Sequence, residues 1–211
     1  MRAYVELMKL RVVELLIITT IPAMVLAARG LPSLELVLAT LIGGTLAAGS
    51  ANAFNMVIEA KTDKLMARTS KRPLVTGSIG KNQALVFASI IGALSLVIFQ
   101  YYTTPLATLL NAFAIFYYVV IYTIILKPNT AQNIVWGGAA GCMPVLIGWA
   151  AVTGSLTWVP VAFFMVVFFW TPPHFWALAI KYRSDYSAAG IPMLPSVSSQ
   201  SSVIKIGRAH V

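Results

Sequence analysis

"NMVIEAKTDKLMARTSKRPLVTG", residues 55–77, is the stretch on which the reading of this chain turns. It holds two of the six acids, Glu59 and Asp63, and a dense run of bases, yet it follows directly on an apolar run. Asn55, Glu59 and Asp63 are spaced by four. If the apolar helix before them continues past Ile58, the three share one face, because residues four apart stack along a helix. An amide and two carboxylates so placed offer hard oxygen ligands to Mg²⁺, an ion that takes few carboxylates and fills its other positions with water and substrate phosphate. Arg68, Lys71 and Arg72 follow, cations suited to phosphate oxygens. From spacing alone two readings stand level: a diphosphate site, or a solvated loop whose acids offset its bases.

The rest of the chain is poor in charge. It has 211 residues, 59% hydrophobic and only 10% charged, where a soluble domain carries about a quarter charged residues. The expected class is all-α, a polytopic transmembrane helix bundle. The net charge of +9 then reflects Lys and Arg gathered in cytoplasmic loops beside anionic lipid, and no nucleic-acid partner is expected. The single Cys142 lies in an apolar run, which excludes a disulfide framework or a cysteine-built metal cluster. No cleavable signal peptide is expected, since the apolar run from near Val12 leads into further spans.

A membrane span takes about twenty apolar residues, and six segments qualify: roughly 12–29, 35–58, 84–101, 105–126, 134–153 and 158–180. Small residues in the second and fifth, "LIGGTLAAGSANA" and "WGGAAGCM", let helices approach closely in lipid. With the N-terminus inside, Arg2, Lys9, Arg11, Lys61, Lys64, Arg68, Lys71, Arg72, Lys81, Lys127, Lys181 and Arg183 all fall on the cytoplasmic side and only Arg29 outside. Both long joints, 59–83 and 181–199, are therefore expected in the cytoplasm, on a multi-pass protein of the cell (inner or plasma) membrane. The second joint, "KYRSDYSAAGIPMLPSV", brings Lys181, Arg183, Asp185 and Tyr186 to the same face as the first. Two charged loops on one end of an apolar bundle could close on one anionic ligand whose tail lies among the helices. Residues 1–205 are read as a single domain that continues past this point. Ile206 to Val211 match the translation of a common sequencing adapter and are read as a scar.

At this point the motifs resemble a family. Residues 55–63 are similar to the first Asp-rich motif, N-x-x-x-D-x-x-x-D, of the UbiA superfamily of intramembrane prenyltransferases. The continuation M-x-R-T-x-x-R-P, residues 66–73, narrows the resemblance to its haem O synthase (protohaem IX farnesyltransferase) family. "QNIVWGGAAGCMPVLIGWAAVTG" and "TPPHFWALAIKYRSDYSAAGIPMLPSV" resemble that family's later signatures. The resemblance runs from Tyr4 to about Val203. It implies a nine-helix bundle, of which about six helices are present here. It implies transfer of a farnesyl group from farnesyl diphosphate to a vinyl group of haem B, with haem A synthase or oxidase assembly factors as partners. It also implies that Asn55, Glu59, Asp63 and Asp185 hold Mg²⁺ against the diphosphate, while Arg68, Arg72, Lys127, Lys181 and Arg183, with Tyr186, bind the leaving group. Three positions depart from the pattern. Glu59 stands where Asp is usual, Lys61 stands where a further Asp is common and would lower the local negative charge, and Leu10 replaces a usual Pro.

His174, in "TPPHFW", has two readings: packing near the end of the sixth span against a backbone carbonyl, or contact with haem through its iron or a propionate. The aromatics around it, Phe168, Phe169, Trp170, Phe175 and Trp176, read as packing or an interface belt. Glu14 has no assigned role. The rival enzyme is another UbiA-type prenyltransferase with a quinone-ring or chlorophyll-like acceptor, which should lack "PHFWALA" and "AGIPMLP". A transporter or channel would show charge inside its spans and inverted repeats, and these spans are nearly free of charge.

Overall fold

The computed structural model describes residues 2–198 and 203, and among them all regular structure is helical. A short α1 (Arg2–Met8) precedes α2 (Leu10–Ala28). The longest helix, α3 (Leu34–Asp63), leads through a one-turn α4 (Pro73–Thr76) to α5 (Lys81–Tyr102). Next, α6 (Pro105–Phe116), a π-helical segment (Tyr117–Leu126) and α7 (Lys127–Asn129) form one continuous rod. Then come α8 (Asn133–Thr153), α9 (Trp158–Lys181), α10 (Arg183–Ala188) and α11 (Leu194–Val197).

Five of these, α3, α5, the 25-residue rod from Pro105 to Asn129, α8 and α9, are long and apolar enough to cross a membrane. The first expected span is present as α2, but its apolar stretch, Leu16–Ala28, is shorter than the other five. The spans end where local chemistry stops them. Ser33 caps α3 by accepting the Leu36 N–H at 3.3 Å, and Thr104 caps α6 through the Ala107 N–H at 3.2 Å, with Pro105 at the first helical position. The missed element is α1. Its Leu7 is buried against Ala53, Met56 and Val57 of α3, so a seven-residue helix is held by packing rather than by length.

α3 and α5 pack along a seam of small residues. Ser50 Oγ donates to the Ala88 carbonyl at 2.8 Å and Ser95 Oγ to the Gly43 carbonyl at 2.7 Å, side chain to backbone across closely apposed helices. On the outer surface of α5, Val86, Ile90, Leu94 and Val97 are exposed at helical spacing, as an apolar face toward lipid requires.

The fourth expected span is not a uniform α-helix. Within the π segment Thr123 Oγ1 donates to the Tyr118 carbonyl, five residues back, at 2.8 Å. The wider turn carries Thr123 and Lys127 toward the motif end of α3. Gly137 on α8 makes room for it: a Cβ there would run into the Tyr122 ring.

Candidate active site at the charged end of the bundle

α3 stays helical through Asp63, so Asn55, Glu59 and Asp63 do share a face, and all three are buried. Two cations from distant parts of the chain meet them. Arg72 Nη1 lies 2.5 Å from Asp63 Oδ2 and 3.8 Å from Glu59 Oε2. Lys127 Nζ pairs with Glu59 Oε1. Thr69 Oγ1 donates to the Asp63 carbonyl at 2.8 Å and ties the following loop back onto the helix end. The solvated-loop reading fails on burial, because the acids lie inside the protein.

The pairing is incomplete in an informative way. Asp63 Oδ1 and Glu59 Oε2 are buried without a hydrogen-bond partner, a costly state for carboxylate oxygens. Two carboxylates with an oxygen each left without a hydrogen bond fit Mg²⁺, which is commonly held by one or two carboxylates plus substrate phosphate. Among the described residues no three His, Cys, Asp or Glu side chains gather closely enough to hold a metal ion. Asp185 is therefore not brought into a set with Glu59 and Asp63. It sits on α10, where its Oδ2 accepts the Arg68 backbone N–H at 3.2 Å. Arg68 Nη2 also donates to the Tyr186 hydroxyl at 3.4 Å. These contacts join the two charged loops at one end of the bundle, as their sequence position suggested. Lys181 and Arg183 are exposed and not part of the cavity lining described below; Lys181 lies over the Tyr182 ring at 5.8 Å.

One functional candidate escaped the sequence reading. Lys9, between α1 and α2, adopts left-handed φ/ψ of 50° and 55°, uncommon for a residue other than glycine. Its Nζ donates to Asn55 Oδ1 at 3.0 Å, and Asn55 Nδ2 donates to Thr123 Oγ1 at 3.2 Å. Burial pushes the Lys9 ammonium down to about 7; Arg72 lowers it next, Glu59 opposes that, Lys127 lowers it further and Asp63 opposes. In sequence Lys9 was one basic residue at the base of a span, counted only for orientation. Its role depends on α1 folding back against α3, where Asn52 Nδ2 donates to the Met8 carbonyl at 3.0 Å.

From this charged cluster a cavity of about 630 Å³ runs along the bundle axis. Lys9, Arg68, Arg72 and Lys127 line one end, and the walls are mostly apolar. His174 also faces it, stacked on Trp170 with centroids 4.3 Å apart and edge-on to Phe175 at 5.5 Å. Trp170 and Phe175 thus line the cavity rather than serving only as packing or belt residues, while Trp176 is buried in a core with Met66, Ile134 and Met193. Glu14 is exposed on α2.

The sequence profile of the UbiA prenyltransferase family matches residues 16–210. The chain belongs to that family. Protoheme IX farnesyltransferase of Renibacterium salmoninarum is 57% identical over 197 residues, covering 93% of this chain and 62% of the relative. The protein of the same name from Leifsonia xyli subsp. xyli is 58% identical over 196 residues, covering 93% of this chain and 64% of the relative. The chain thus spans somewhat under two thirds of the length of these relatives. In fold it is similar to a UbiA homologue from Archaeoglobus fulgidus solved with DMAPP and Mg²⁺, with a TM-score of 0.77 at 20% identity over 98% of this chain and 73% of that one. A second UbiA homologue, from Aeropyrum pernix K1, gives a TM-score of 0.77 at 17% identity over 94% of this chain and 74% of that one. The sequence profile and these folds make it a polytopic membrane protein of the UbiA type.

Proposed function

We propose that the protein is an intramembrane prenyltransferase that moves a farnesyl group from farnesyl diphosphate to a vinyl group of haem B, giving haem O. One observation carries the reading: two buried carboxylates, each with an oxygen that lacks a hydrogen bond, sit beside cations at one end of a long apolar cavity. The names of the relatives at 57% and 58% identity support the choice of acceptor.

Glu59 and Asp63, with Asn55 once released from Lys9, would hold Mg²⁺. When bound, Mg²⁺ supplies Lewis-acid stabilisation of the diphosphate oxygens. The chain's own residues do the rest. Arg72 and Lys127 oppose Glu59 and Asp63, two cations to two anions, and Lys9, its ammonium lowered to about 7 by burial, adds positive charge to the extent that it is protonated. Arg68 adds a positive charge at the cavity lining. Such a field favours the diphosphate as the allylic C–O bond breaks and both electrons leave with oxygen. The farnesyl cation stays in the apolar cavity, away from water. The vinyl π electrons of haem B form the new C–C bond, and the cation left on the haem side takes water and loses a proton, leaving a hydroxyl. Farnesyl diphosphate, haem B and water thus give haem O and diphosphate. His174, stacked on Trp170 in the cavity lining, would contact the haem. Asp185 anchors Arg68 and holds the second loop over the site. The charged end faces the cytoplasm of the cell membrane, and haem O passes to haem A synthase or oxidase assembly.

The test is farnesyl transfer to haem B by the full-length protein in membranes, with and without Mg²⁺. Haem O formed only with Mg²⁺ and farnesyl diphosphate is expected, and prenylation of a quinone ring in place of haem would overturn the choice of acceptor. Orientation is read separately, with cysteines at Ser70 and Ser187 labelled from the cytoplasmic side and one at Pro32 from the opposite side.

A further inference from the structure

The end of the cavity remote from the charge is lined by a small set of buried side chains. Thr40, Phe99, Asn111 and Ile147 line it there and are almost completely buried. Phe99 is the largest fully buried side chain among the described residues. Its ring fits only because Gly43 lacks a side chain, since a Cβ on Gly43 would lie 2.7 Å from the ring atoms Cδ2 and Cε2. The surroundings hold that ring still. Ser95 Oγ donates to the Gly43 carbonyl at 2.7 Å, and Asn111 Nδ2 donates to Ser95 Oγ at 2.9 Å, fastening α3, α5 and α6 together at this level. Phe99 is packed in a buried core with Ala107, Met143, Ile147, Ala150 and Ala151.

The depth can be read along α3. Asn55 and Gly43 are twelve residues apart, about 18 Å at 1.5 Å per residue. An extended isoprenoid advances ~5 Å per four-carbon repeat, from carbon–carbon bonds of about 1.5 Å opened to ~111°. The lining continues past the Phe99 ring to Thr40, fifteen residues from Asn55 and about 22 Å away, so three repeats, about 15 Å, end short of the ring, whereas four, about 20 Å, would have to pass it. We infer that Phe99, seated on Gly43, forms the floor that a prenyl chain meets in this cavity and favours three isoprene units over four. The inference rests on the prenyl diphosphate reading of the site and names the residues that measure its substrate.

The experiment is competition binding of geranyl, farnesyl and geranylgeranyl diphosphates with Mg²⁺, on the full-length protein in nanodiscs. Phe99→Ala deepens the cavity and should raise the geranylgeranyl-to-farnesyl affinity ratio by about tenfold. Gly43→Ala drives the ring the other way, into the cavity, and should raise the geranyl-to-farnesyl ratio by a similar factor. Phe99→Leu, which keeps most of the apolar bulk, serves if Phe99→Ala does not fold, and should move the first ratio in the same direction by less. A purely structural role for Phe99 would weaken all three ligands together and leave both ratios unchanged. Unchanged ratios with farnesyl diphosphate still bound would overturn the floor and leave the prenyl diphosphate reading intact. If the unaltered protein binds none of the three, that reading falls and takes the floor with it.

Discussion

The two ends of α3 bury polar groups in opposite ways. Toward Leu34, Thr40 Oγ1 donates to the Leu36 carbonyl at 2.8 Å, and Ser95 with Asn111 completes a neutral chain onto the Gly43 carbonyl. Toward Asp63, the groups are charged and two carboxylate oxygens have no hydrogen-bond partner. Burying a polar group without a partner costs roughly 1–3 kcal/mol, more when it is ionised. A completed neutral network at one end therefore reads as structure. An incomplete charged one at the other reads as a place where a ligand supplies the missing contacts.

The sharpest way to break that contrast is Asp63→Asn. The change keeps the shape and removes one charge, leaving Arg72 facing a neutral amide. Turnover of farnesyl diphosphate and haem B by the full-length protein should fall at least about a hundredfold, the scale of losing one key electrostatic stabiliser. Near-normal turnover at saturating Mg²⁺ would return residues 55–77 to a structural role.

A smaller effect is expected at His174, which lies on the cavity wall away from the acids. His174→Ala removes the ring stacked on Trp170, and haem B affinity should drop about tenfold, equivalent to about 1.4 kcal/mol, with a changed haem absorption spectrum. Farnesyl diphosphate affinity should hold, because its contacts are at the charged cluster. A haem titration run beside a thermal melt decides the case: an unchanged spectrum and affinity with a lowered melting temperature makes His174 a packing residue.

How much of this could be read in advance differs along the chain. The helical continuation of α3 through Asp63 was only half legible: the apolar run ended at residue 58, and the four-residue spacing of Asn55, Glu59 and Asp63 suited a shared helix face but also a solvated loop. The meeting of the two charged loops was legible from the distribution of Lys and Arg. Three features were hidden for a common reason. α1 is too short for any span-length pattern. The π turn over Tyr117–Leu126 leaves the apolar composition of its segment unchanged. Lys9 gains its role only once α1 and α2 are placed against α3. Each depends on which distant residues become neighbours. Asp185 shows the same limit in reverse: its place at the charged end of the bundle followed from the sequence, but its partner, the Arg68 backbone N–H rather than the α3 acids, did not.

At the neutral end the expected effect on chemistry is slight. Ser95→Ala removes the acceptor of the buried Asn111 amide and should lower stability by about 1–2 kcal/mol, toward the low end for a lost hydrogen bond because helix contacts in lipid are individually weak. Turnover below the melting range should stay within about threefold. A loss as deep as that of Asp63→Asn, at matched folded fraction, would mean that the two ends of α3 are not separable.

The smallest effect is expected at Lys61, which lies between the two acids in sequence and apart from them in space. On a helix, residues two apart face away from each other; Glu59 and Asp63 are buried while Lys61 is exposed. Its ammonium is therefore in water, where screening leaves a surface charge worth well under about 1 kcal/mol to its neighbours. The sequence suggested that a lysine at this position would weaken metal binding, and the burial pattern argues that it barely does. Lys61→Asp should leave the Mg²⁺ concentration for half-maximal turnover within about twofold of the original, with any shift toward tighter binding. Raising the salt concentration should shrink even that difference, since only the exposed charge is screened. A tenfold tightening that persists at high salt would place Lys61 at the metal, and would mean that the buried face of α3 is not the whole of the site.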